Sequence, residues 1–83
     1  MTKEKAEKNL EAAKKREEAA RLRSLAASQQ DNADAHLRQA KKPIYSGQES
    51  ICMGKAEQIE SFAAKNIAMA KRLEAEADLL EAE

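Results

Sequence analysis

The chain contains one imidazole, His36, and one thiol, Cys52, the two side chains best suited to metal binding or nucleophilic chemistry. A structural zinc site takes four ligands, and a nucleophilic cysteine needs an oriented base together with donors for the oxyanion. The sequence supplies neither set around these residues. They read as a seam histidine and a small buried thiol, with no metal, no cofactor and no catalytic residue expected. The only basic cluster is Lys14-Lys15-Arg16 with Arg21 and Arg23, which are the candidate phosphate contacts. On a helix these five residues spread over several faces, no aromatic stands beside them, and Glu11, Glu17 and Glu18 interrupt their field. A nucleic-acid-binding helix usually presents a one-faced stripe instead.

The elements that must position these residues follow from composition. Ala supplies 18 of the 35 apolar residues in a chain of 83, Val and Trp are absent, and only Tyr45 and Phe62 are aromatic. Sheets draw on the β-branched and aromatic residues that are scarce here, whereas Ala, Glu, Lys, Leu, Gln and Arg favour helix. The expected fold class is all-α. The length suits one small domain over residues 1–83, with little material for a core shielded on all sides.

Pro43 divides the chain, because the residue before a proline is pushed out of helical geometry. The sequence predicts a helix over 3–41, a turn over 42–47 and a second helix over 48–82. Ser46-Gly47-Gln48-Glu49 has the Ser-x-x-Glu spacing of a capping box, in which Ser46 takes the Glu49 amide and the Glu49 carboxylate returns to the Ser46 amide. Gly54 is a weak point inside the second helix. The first helix opens with bases placed four residues after acids, Glu4 to Lys8, Glu11 to Lys15 and Glu17 to Arg21, and such pairs stabilise a helix locally.

Alanine recurs every seventh residue on both helices, as Ala12, Ala19, Ala26, Ala33 and Ala40, and as Ala56, Ala63, Ala70 and Ala77. A repeat of seven implies a coiled-coil type of seam, and alanine as the repeating residue implies close approach of the axes. The pattern resembles the alanine-rich antiparallel coiled coil of some helical hairpins, a likeness of packing. An antiparallel register can be derived by setting larger residues against small ones. It places Ala12 on Leu80, Lys15 on Ala77, Ala19 on Leu73, Leu22 on Ala70, and Ala26 on Asn66. It continues through Gln29 on Ala63, Ala33 on Ile59, His36 on Ala56, and Ala40 on Cys52. His36 and Cys52 then fall one layer apart. Gln29 and Asn66 fall in neighbouring layers, where polar residues usually fix register at some cost in stability. On the flanks Leu25 meets Met69, Leu37 meets Met53 and Arg16 meets Glu74, while Glu18 against Glu76 and Glu11 against Glu83 are unfavourable.

Leu25, Phe62 and Met69 fall on one flank that two helices leave uncovered, and exposed large apolar residues on a small protein mark a partner surface. The expected partner is another protein or a second copy of the chain, which would dimerise the hairpin into a four-helix bundle. The leading expectation is a non-enzymatic protein-interaction module acting as adaptor, assembly factor or inhibitor, a class that includes many phage- and plasmid-encoded proteins. The alternative is a helical dimer similar to Rop, using the basic N-terminal half, Lys14, Lys15, Arg16, Arg21 and Arg23, on nucleic acid. Residues 1–23 hold eight basic and five acidic groups and residues 54–83 four basic and seven acidic, so the two halves attract each other within a hairpin. Tyr45-Ser46-Gly47 resembles the aromatic-x-Gly turn of the small secreted helical hairpins of the WXG family. Tyr stands where that family has Trp, and Glu81-Ala82-Glu83 lacks its Tyr-containing secretion motif, so the resemblance extends to three residues and a topology.

The charged start has no apolar run behind it and reads as no signal peptide, and no stretch is long enough to cross a bilayer. The single cysteine excludes an internal disulfide framework and suits a reducing compartment, so a cytoplasmic location is expected.

Overall fold

The structure, a computed structural model, describes residues 2–83. Two long helices, α1 over Lys3–Ala40 and α2 over Glu49–Ala82, are joined by a single 3-10 turn at Pro43–Tyr45. They pack against each other as an antiparallel hairpin whose Cα atoms span 65 × 13 × 11 Å, with no strand among the described residues.

Each boundary has a local cause. Thr2 caps α1, its hydroxyl accepting from the Lys5 amide at 3.2 Å, and Glu4 adds negative charge to the first turn. At the other end the Lys41 and Lys42 amides donate to the Arg38 and Gln39 carbonyls, tightening the last turn. Lys42 is extended, as a residue before proline should be. The Tyr45 and Ser46 amides then donate to the Lys42 and Pro43 carbonyls. Gly47 follows with φ of +88°, the left-handed region that favours glycine.

That conformation corrects the expected capping box. A residue at φ of +88° cannot be the first residue of a right-handed helix, so α2 starts at Glu49, one residue after the expected 48, with Gln48 at its cap position and no side-chain cap. The Glu49 carboxylate does turn back, but it accepts from the Gly47 amide at 2.8 Å, while the Ser46 amide is engaged by Pro43.

The seam lies where the heptad repeat of alanine places it. The buried apolar residues are Ala12, Ala19, Leu22, Ala26 and Ala33 of α1, and Cys52, Ala56, Ala63, Ala70 and Ala77 of α2. All belong to the layers derived above, and the remaining members of those layers are half-buried. Ala19, Leu22 and Ala70 form the central cluster with Leu73 packed against it, which is the expected pairing of Ala19 with Leu73 and Leu22 with Ala70. Leu22 is the one large side chain in this core, so the hairpin buries little area per residue.

Two measurements of stability check this packing. Ala70→Leu should overpack the seam and cost about 1 to 3 kcal/mol in denaturant unfolding, whereas Ala68→Leu, on the exposed side of α2, should be nearly neutral. Gly54→Ala should stabilise by about 1 kcal/mol, because a Cβ there meets nothing within 4 Å and the backbone is already helical.

Candidate functional site

Residues that immediately precede a repeating alanine share one flank of an antiparallel hairpin. Leu25, Phe62 and Met69 all do so, before Ala26, Ala63 and Ala70. The alanines beneath them are too small to fold over them, and the three side chains stay 42%, 49% and 47% exposed. Lys65 holds its ammonium 5.6 Å from the centroid of the Phe62 ring, within cation–π range. Lys65, Ala68, Met69 and Arg72 line a shallow depression on the same side.

The opposite flank was not singled out from sequence. It holds a wider open groove with Ala26, Ala27, Ala63, Ala64, Ile67 and Ala68 along its apolar part, and Arg23, Gln30, Glu60 and Lys71 at its rim. The available signal was Ile67 beside Ala64 and Ala68, outside the seam. Leu37 and Met53 border the same depression near the turn, with Ala40, Lys41 and Glu49. Ile44, 82% exposed, and Ile51 at the turn end, and Leu10 and Leu79 towards the open end, are further exposed apolar residues.

Most of the candidate phosphate contacts are engaged within the hairpin. Lys15 Nζ lies 2.9 Å from Glu76 Oε2, Arg16 donates to Asp78 at 2.7 Å and to Glu81 at 3.0 Å, and Arg23 clasps both oxygens of Glu74. Arg21 pairs with Glu18 one turn earlier, and Lys14 is exposed. Three sequence expectations change here. Arg23, not Arg16, takes Glu74, because Arg16 is drawn to the two carboxylates nearer the open end. Lys8 and Lys15 reach across to Glu83 and Glu76 instead of pairing along α1. Arg21 turns to Glu18 in place of Glu17. For Lys8 and Lys15 the facing helix supplies carboxylates at hydrogen-bond distance in place of the local pairs, whereas Arg21 exchanges one local partner for another on α1. The feared Glu18 and Glu76 opposition is relieved in the same way, each carboxylate having its own cation.

Asn66 Nδ2 donates to Gln29 Oε1 at 2.9 Å across the seam. Cys52 is a buried free thiol and His36 is half-buried. No group of three or more ligating side chains converges among the described residues. No helix of the described residues is long and apolar enough to cross a membrane. Comparison with protein-family models, curated proteins and solved structures finds no match to this chain.

The cross-helix ion pairs leave a pH signature. Hydrogen bonds from Arg23, Lys15 and Lys8 hold the Glu74, Glu76 and Glu83 carboxyls below the usual carboxylate value, as Arg21 does for Glu18. A carboxyl whose folded value is depressed contributes stability above its unfolded value, and that contribution is lost as pH falls through the folded value. The thermal midpoint should therefore drop as pH is lowered below about 4.5, and drop less in the Glu74→Gln, Glu76→Gln double variant. Because these pairs are exposed, added salt should reduce the difference between the two proteins.

Proposed function

We propose that the protein is a non-enzymatic interaction module, an adaptor, assembly factor or inhibitor, that docks another protein or a second copy of itself through the flank bearing Leu25, Phe62 and Met69. The observation that carries this reading is the contrast between the seam and the flank. The hairpin buries alanines and leaves Leu25, Phe62 and Met69, which share one flank by their heptad position, half-exposed. Burying such residues is favourable by roughly 25 cal/mol per Å² of apolar area, and anchors of this type dominate docking energies. The proposal includes a reducing, cytoplasmic setting, supported by the single unpaired thiol.

The nucleic-acid alternative receives less support. Phosphate binding needs cations that are free to displace counterions. Of Lys14, Lys15, Arg16, Arg21 and Arg23, only Lys14 has no carboxylate partner among the described residues.

Phe62→Ala with Met69→Ala should weaken association, whether with a partner or with a second copy, by about tenfold or more in sedimentation or titration measurements. Helix content by circular dichroism should stay largely unchanged, because the alanine layers remain. A double variant that associates as the parent does would move the interface elsewhere, with the Ile67 groove as the next surface to test.

A further inference from the structure

The chemistry of the partner is written in the charges around the proposed docking flank, so this inference rests on that reading. Lys65 lies over Phe62, and Lys65 and Arg72 bracket Met69. Lys55, immediately before Ala56, stands on the same flank one heptad ahead of Phe62. Neither Lys55 nor Lys65 has a carboxylate within ion-pair distance among the described residues, and Arg72 reaches only Glu76 at 3.9 Å. Glu76 is itself held by Lys15. The unspent charge around Phe62 and Met69 is therefore positive. The other flank differs: Arg16 and Arg23 are consumed by Asp78, Glu81 and Glu74.

From this juxtaposition we infer that the flank docks an acidic amphipathic helix of another protein. The apolar side chains of that helix seat against Leu25, Phe62 and Met69, and its carboxylates meet Lys55, Lys65 and Arg72. Phe62 and Met69 are two helical turns apart, roughly 10 Å along α2, which matches the i, i+7 anchors of a helix laid alongside. A second copy fits this surface less well. Lys65 lies between Phe62 and Met69 in sequence, so a two-fold axis through the anchors would bring the Lys65 side chains of the two copies together. Like charges brought face to face disfavour that pairing, whereas opposite charges around an apolar centre select the partner and speed its encounter.

The test uses the full chain and a labelled synthetic helical peptide with leucines at i, i+3 and i+7 flanked by glutamates, read by fluorescence anisotropy. A second peptide carries lysine at every glutamate position, and an oligothymidylate serves as the nucleic-acid probe. The glutamate peptide should bind about tenfold or more tightly than the lysine peptide, and the Lys55→Glu, Lys65→Glu variant should lose that preference at unchanged helix content. The milder Lys55→Gln, Lys65→Gln variant should fall between. Equal binding of both peptides that disappears in the Phe62→Ala, Met69→Ala variant would overturn the charge assignment and leave the docking flank standing. Self-association abolished by that same variant, without peptide binding, would replace the acidic helix by a second copy. Binding of the oligothymidylate alone would replace it by nucleic acid. Absence of any binding or association would remove both the inference and the docking reading.

Discussion

The distance between two helices is set by what stands between them, and here that is alanine repeated every seventh residue on both strands of the hairpin. A seam of methyl groups lets two backbones approach closely, but it covers little apolar area, and Leu22 is its one large side chain that is buried. The rest of the molecule follows from this constraint. Several larger apolar residues, Leu25, Phe62 and Met69 among them, stand on the flanks, long charged side chains are near enough to bridge the helices, and the chain extends as a rod 65 Å long.

A regular repeat also creates an ambiguity. Sliding one helix by a heptad would again set alanines against the opposing layers, at small cost in packing. The Gln29 to Asn66 hydrogen bond opposes the slip that would set Gln29 on Ala56 and Asn66 on Ala19, because that slip separates the two amides and leaves both without their partner. Arg23 on Glu74 and Lys15 on Glu76 reinforce the same register from opposite flanks. Among the described residues every cross-helix ion pair lies in the half of the hairpin away from the turn, where no covalent connection restrains the strands. The turn half relies on the Pro43–Tyr45 turn, on Gly47 and on the buried Ala33, Cys52 and Ala56 of the seam.

How much of this was legible depended on whether the signal repeats. The seam layers could be read because burial recurs every seventh residue, so each of Ala12 to Ala77 supports the assignment of the others. The turn depended on one position: Ser46-x-x-Glu49 has the spacing of a capping box, yet Gly47 spends its freedom on a left-handed turn and the box cannot close. Ion-pair partners were the least legible, since a long arginine such as Arg16 selects among Glu74, Asp78 and Glu81 by differences smaller than sequence spacing can resolve. The flank of Leu25, Phe62 and Met69 could be placed because each precedes a seam alanine. The Ile67 groove was not legible because Ala26 and Ala63 read as seam residues and Ala27, Ala64 and Ala68 as ordinary helix formers.

The account stands on the alanine seam in one register, and methyl-to-methyl nuclear Overhauser effects in the dilute full-length protein measure that register directly. Leu22 should show strong contacts to the Ala70 methyl and to Leu73, with Ala19 contacting Leu73, in line with the central cluster. Strong contacts from Leu22 to Ala63 or to Ala77, with none to Ala70, would place the helices a heptad out of this register and contradict it.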